Sequence, residues 1–192
     1  AAVSNVLDAY LGPVPKSFEY NGKEYTPESF AKDVVKLNPA NYIEFISQTN
    51  TPYWKKAMMM VPDNWEFQHD YNIPMNDITT IIDYALKHGY TIAWGADVSE
   101  KSFSWQNGIA YVPATPYKDM TPGQRSTMFD GPKWEMTIAP ELRQKAFNDY
   151  QTTDDHGMQI TGIAKDQNGK EWYIVKNSWG TDNDYKGYLY VS

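Results

Sequence analysis

Apolar positions along this chain change period several times, and each change marks an element. Val3, Val6, Leu7, Tyr10 and Leu11 recur at helical spacing and stop at Gly12-Pro13. Phe18, Tyr20 and Tyr25 flank Asn21-Gly22, the pair that favours a tight hairpin turn. Thr26-Pro27-Glu28-Ser29 reads as a helix start, with Thr26 as N-cap and Pro27 in the first turn. Phe30, Val34, Val35 and Leu37 supply that helix with an apolar face, and Asn38-Pro39 ends it. The stretch 41–46 does not decide between strand and helical turn.

Residues 47–76 carry turn formers (Pro52, Pro62, Asp63, Asn64, Pro74) among large aromatics (Tyr53, Trp54, Trp65, Phe67, Tyr71). A structureless segment this long inside a domain is expected to be functional or to line a site. The pattern then sharpens. Ile78, Ile81, Ile82, Ala85 and Leu86 share one face of a helix over 77–88, closed by Gly89. The near-continuous apolar run Tyr90–Ala96 predicts a strand buried on both faces. Ile109–Val112 predicts another. Thr121-Pro122 and Ala139-Pro140-Glu141 predict helix starts, the second helix turning Leu142, Ala146 and Phe147 inward. A hairpin follows: His156–Ala164, a turn at Asn168-Gly169, and Glu171–Lys176; residues 187–191 close the chain as a strand. The fold class is α+β, with an antiparallel sheet at the C-terminal end.

Composition narrows the function classes. The 192 residues carry a formal charge of −7 and a sequence pI of about 4.9. That field repels phosphate backbones and anionic lipid, so neither nucleic acid nor a membrane surface is expected as a partner. Fifteen Tyr and seven Trp favour β-rich structure and large aromatic anchors. The chain holds no Cys, which removes disulfides and Cys-ligated zinc. Three scattered His give no paired metal-ligand spacing, and no phosphate-binding glycine loop occurs, so no metal or cofactor is expected. The start Ala1-Ala2-Val3-Ser4-Asn5 is neither a signal peptide nor an initiator Met, and the chain is read as a processed or excised piece.

Of the three His, His88 belongs to a helix C-terminus, where it complements the dipole, and His69 to the aromatic loop as a brace. His156 differs in context: it follows a loop at the entry to a strand, a place where a scaffold presents side chains. An imidazole base needs a partner on its far nitrogen to fix tautomer and orientation. Asn177 can be that partner, and Trp179 can cover the bond from water. With a two-residue turn at Asn168-Gly169, Asn177 lies opposite Ile160, on the same face as His156 but four residues away, roughly 13 Å at the usual rise. A flat hairpin does not join them; a bulge, a strong twist or a bent strand end is required.

The run Asp155-His156-Gly157-Met158-Gln159-Ile160-Thr161-Gly162, then Trp172–Gly180 with Asn177-Ser178-Trp179-Gly180, then Lys186-Gly187-Tyr188-Leu189, resembles the His and Asn blocks of papain-like cysteine peptidases. Leu11–Pro15, Thr26–Phe30 and Leu86–Val98 resemble the bleomycin hydrolase and bacterial aminopeptidase C branch. The resemblance implies the β-barrel-side half of a papain-like fold over 77–192, with a helical and irregular insertion region over 1–76. It implies His156 as general base and acid, Asn177 as its orienter, Trp179 as a shield, and Asp155 and Gly157 beside the substrate path. It places the nucleophilic Cys and an oxyanion Gln upstream of this chain, and a C-terminal arm beyond it. It further implies a peptide substrate trimmed from its N-terminus, a homo-hexameric ring and a cytoplasmic location, with a periplasmic or secreted one left open. Alone, the chain is expected to be inactive as a thiol protease. The rival readings are a non-catalytic papain-like module binding peptide or sugar through the aromatic loop, and a hydrolase pairing His156 with Asp154 or Asp155 and a Ser or Thr.

Overall fold

A computed structural model describes residues 2–62 and 64–192; Ala1 and the expected turn residue Asp63 lie outside the described residues. The chain divides into two compact units, one up to Glu44 and one from Phe45.

The first unit opens with helix α1 (Ala2–Leu11), none of whose residues is buried. Strands β1 (Phe18–Tyr20) and β2 (Lys23–Tyr25) form the expected hairpin in the register Phe18↔Tyr25. The short helix α2 (Pro27–Phe30) starts at a capping box in which Thr26 and Ser29 satisfy each other's backbone N–H. It runs on as one π-helical turn, Ala31–Val35, closed by Lys36 in the left-handed region. Phe30 is the centre of this unit. Phe18, Tyr20 and Tyr25 meet it edge to face at 5.2, 5.1 and 5.6 Å, the arrangement that ring quadrupoles favour.

The second unit holds two sheets. In the smaller one, β5 (Asp70–Asn72) lies between β3 (Phe45–Ile46) and β4 (Lys55–Ala57). Such short strands need help, and Asn72 supplies it: fully buried, it accepts from Gln48 N at 2.8 Å and donates to Gln48 O and Thr51 O. Residues 48 and 51 are thus held by one buried amide, while Asn64 ties Met59 to Gln68 further along the loop. Trp54, Trp65 and Phe67 stay exposed on it.

Helix α3 (Met75–Lys87) follows, then β6 (Ile92–Ala96), β7 (Phe103–Ser104) and β8 (Ile109–Ala110). After α4 (Pro122–Ser126) and α5 (Pro140–Asn148) come β9 (His156–Lys165), β10 (Glu171–Lys176) and β11 (Tyr188–Val191). The six strands form one sheet in the order β6-β9-β10-β11-β8-β7, curled as half a barrel. The core joins Ile82 of α3 to Ala96, Ala110, Met158, Ile160, Val175 and Leu189 of the sheet. Tyr173 OH donates to Asp83 Oδ1 at 2.9 Å and ties α3 to β10.

Three expectations need correction. The sheet is not wholly antiparallel, because β8 runs parallel to β11. β6 is not buried on both faces: it is an edge strand, and Ala93 and Gly95 are exposed. α5 exposes Leu142 and instead buries Gln144, whose Oε1 accepts from Thr49 N at 2.8 Å. There a backbone amide required an acceptor, and that requirement outweighed the apolar pattern. Among the described residues, no helix is long and apolar enough to cross a membrane.

Candidate active site

Two departures from the simplest hairpin assemble the site. The first is the turn. Asp166 N bonds Lys170 O at 3.0 Å, and the Asp166 carboxylate accepts from the amides of Asn168 and Lys170 at 2.8 and 3.0 Å. This holds a three-residue turn, with Gly169 at φ +81°, where a side chain would be strained. Burial alone would raise the Asp166 pKa; the bonds from Trp172 Nε1, Asn168 and Lys170 outweigh it and hold the carboxyl below its ordinary range. With three turn residues, Glu171 pairs with Lys165.

The second departure is a bulge. Ile174 pairs with Gly162, but Val175 pairs with Ile160, so Thr161 is extra. Its hydroxyl donates to Ile174 O at 3.1 Å. Each one-residue slip turns the following side chains to the opposite face of the partner strand; two slips restore the face. Continued to its end, the register sets Asn177 beside Met158. That position is two residues from His156, or about 6.6 Å along the strand, within reach of the two side chains.

His156 Nε2 and Asn177 Oδ1 lie 2.7 Å apart. The same oxygen accepts from Ser178 N at 2.7 Å, which fixes the amide the right way round, since only an oxygen can accept that N–H. An oxygen facing Nε2 requires a proton on Nε2. Neutral His156 is therefore the Nε2–H tautomer, and Nδ1 carries the basic lone pair. Asn177 is buried, and its backbone N–H donates to Gly187 O at 3.0 Å. Its Nδ2 is buried without an acceptor among the described residues.

Trp179 lies over the imidazole, with ring centroids 4.9 Å apart. Phe103 and Trp105 meet Trp179 edge-on at 5.8 and 5.7 Å. Sequence reasoning did not single out these two, although Phe103-Ser104-Trp105 alternates and so places both rings on one strand face. Asn183 was missed as well. It is buried, donates to Trp105 O and Tyr188 O at 3.0 and 2.9 Å, and accepts from Gly187 N at 2.8 Å. The loop between Asn177 and Tyr188 is thus folded onto itself and tied to the segment that backs Trp179. Gly187 has φ +93°, and a Cβ there would lie 2.7 Å from Gly180 O, so two glycines close the loop.

Asp155 is exposed, and its carboxylate accepts from Thr153 Oγ1 at 3.0 Å. Gly157 faces Gly95 on edge strand β6, and nothing lies within 4 Å of where its Cβ would be. Asp97 holds the approach to β9 by accepting from Thr153 N at 2.9 Å and Ser99 N at 2.6 Å. Burial would raise its pKa, and these donors bring it below the ordinary value. The other two His brace their own segments. His69 Nδ1 meets Phe67 O at 3.0 Å, and His88 Nδ1 meets Tyr84 O at 2.7 Å while its ring stacks on Tyr84. Among the described residues, no cluster of three His, Cys, Asp or Glu is placed to hold a metal ion.

The arrangement is an imidazole with one nitrogen fixed by Asn177 and one face covered by an aromatic ring. It can accept and return a proton; the chain offers no Cys for it to activate.

Comparison with known proteins matches this chain to a family. The model of the Peptidase C1-like family matches residues 14–192. Aminopeptidase C of Lactobacillus delbrueckii subsp. lactis is 27% identical over 208 residues, covering 100% of this chain and 42% of that protein. Bleomycin hydrolase of Mus musculus is 25% identical, covering 97% of this chain and 42% of that protein. The crystal structure of PepW from Lactobacillus rhamnosis HN001 superposes with a TM-score of 0.69 at 24% identity, over 98% of this chain and 42% of that one. The last likeness is one of fold. This chain spans less than half the length of each of these relatives.

Proposed function

This chain belongs to the peptidase C1-like family, and on that premise we propose that it is the His- and Asn-bearing part of a cysteine aminopeptidase whose thiol lies in another segment of the same polypeptide. The observation that carries the reading is the 2.7 Å bond between His156 and Asn177, together with the tautomer it enforces.

A Cys thiol brought to Nδ1 of His156 gives up its proton and becomes a thiolate paired with imidazolium. The thiolate attacks the carbonyl carbon of the first peptide bond, and His156 returns the proton to the leaving amine as that bond breaks. An acyl-enzyme thioester remains. A water then loses its proton to Nδ1, attacks the thioester and releases the N-terminal residue, regenerating the thiol. Asn177 orients the imidazole without adding a charge, so the imidazolium's charge is left to the thiolate. Trp179, backed by Phe103 and Trp105, keeps water from the His156–Asn177 bond. Asp155 and Gly157 flank the path of the peptide. The name of one relative, aminopeptidase C, supports the choice of the N-terminal residue as the part carried by the thioester and released by water.

The test uses the longer gene product that contains these 192 residues. Release of N-terminal residues from short peptides, abolished by iodoacetamide, is the expected result; activity insensitive to thiol reagents overturns the reading.

One observation favours a second reading, a binding module without catalysis. Trp54 and Phe67 are held at φ 62° and 55° and are 62% and 68% exposed. Left-handed backbone at a bulky residue costs on the order of 1–3 kcal/mol, and here it projects aromatic surface into solvent. A Ser, Gly or Ala at the nucleophile position of the longer gene product decides for this module.

A further inference from the structure

After β8 the chain leaves the six-stranded sheet for a long excursion. Its stem is a short ladder, in which Ala114 N donates to Trp134 O at 2.9 Å and Met136 N to Val112 O at 3.0 Å. A connection as long as 115–133 is uncommon inside a compact domain unless it has a function of its own, and this one is folded. Thr121 and Gln124 cap α4 reciprocally. Arg125 donates to Tyr117 O and Lys118 O at 3.2 and 3.1 Å and lies over the Tyr117 ring. Tyr111 is buried, and its hydroxyl donates to Met128 O at 2.7 Å. These bonds fix the walls of a cavity of about 210 Å³ that opens to solvent.

The lining selects the guest. Tyr111, Met120 and Met128 line the cavity as buried side chains, and the two thioethers adapt readily to a flat ring. Trp134 also lines it and is 90% exposed, so a guest that covers its ring removes a large apolar area from water. Lys133 is the one charged residue of the lining. Among the described residues it has no ion pair, and the nearby carboxylate of Glu135 is committed to Lys170. In a chain of formal charge −7, an uncommitted cation beside an apolar cavity without acids favours an anionic guest. The volume lies below the roughly 300–1,000 Å³ of sites for drug-sized ligands, which suits a molecule with a single ring. We propose that this cavity binds a small aromatic carboxylate, with its ring among Tyr111, Met120, Met128 and Trp134 and its carboxylate on Lys133. None of these residues takes part in the chemistry at His156, so the two sites stand or fall separately.

The test titrates 3-phenylpropionate into the longer gene product carrying carbon-13 methionine methyl groups. The signals of Met120 and Met128, assigned through Met120→Leu and Met128→Leu, are expected to shift and saturate at about millimolar probe, the range open to a ligand of this size. The signal of Met158, in the core of the sheet, is expected to stay still. The neutral 3-phenylpropionamide should bind about 5-fold more weakly. Lys133→Met should weaken the carboxylate by the same factor and leave the amide unchanged; Lys133 is exposed, so the fold does not depend on it. Equal binding of carboxylate and amide overturns the anionic guest. Movement of Met158 without Met120 and Met128 puts the probe at the His156 site and overturns the cavity. So does the absence of any methionine shift at roughly tenfold that concentration.

Discussion

His156 Nε2 lies 2.7 Å from Asn177 Oδ1, although the simplest hairpin register would hold the two residues roughly 13 Å apart. The contact exists because the strands slip by one residue at the Asp166–Lys170 turn and by another at Thr161. One slip would have turned Asn177 away, whereas two bring it closer on the same face.

Deleting Thr161 removes the extra residue and leaves Ile174 opposite Gly162 and Val175 opposite Ile160, so Asn177 stays beside Met158 and the His156 Nε2–H signature in the NMR spectrum should be retained. Loss of that signature with the rest of the sheet intact would show that the register alone does not hold the contact.

Asn177→Ala leaves the imidazole free to rotate and to exchange tautomers. In the 192-residue chain, the nitrogen shifts of His156 should move from a single Nε2–H form to a mixture. In the longer enzyme, kcat/KM should fall on the order of 10²-fold, the scale of an ångström-sized misplacement of a catalytic group. Unchanged nitrogen shifts would assign the tautomer to some other partner.

Much of this chain is readable from pattern alone. Thr26 and Thr121 announce their helices because a capping hydroxyl three residues before its amide is a local device. The hairpin of β9 and β10 follows from turn residues between two alternating runs. What pattern does not give is the turn length. Asn168-Gly169 alone suggests two residues, but the Asp166 carboxylate reaches over both and makes three. The bulge at Thr161 is settled by packing across strands, and so is the parallel pairing of β8 with β11. Phe103 and Trp105 are silent in sequence because their role depends on Trp179, more than seventy residues away.

Gly187→Ala places a Cβ against Gly180 O in a backbone conformation that L side chains avoid. Destabilisation of about 1–3 kcal/mol is expected, read from urea unfolding, together with a change in Trp179 fluorescence as the loop shifts. Gly157→Ala, with open space at its Cβ, should be close to neutral in stability and serves as the comparison.

Asp166 gives the turn a pH dependence of definite sign. Its pKa is below the ordinary value in the folded chain, so its contribution is present above the unfolded aspartate pKa of about 3.9. The contribution disappears as the pH falls through the lower, folded value. Asp166→Ala should therefore be less stable than the parent near pH 7, with the gap narrowing at the acid end of that window. A gap that is constant with pH would mean that the carboxylate's charge plays no part in the turn.

The central claim is that Nδ1 of His156 faces a thiol, and the rate of thiol alkylation by iodoacetamide against pH in the longer gene product tests it most directly. Paired with His156, the thiol should remain a thiolate far below the ordinary cysteine pKa of about 8.5. Alkylation should then be fast at pH 6, and His156→Ala should slow it there by more than tenfold. Equal rates at pH 6 in the parent and in His156→Ala would contradict the account.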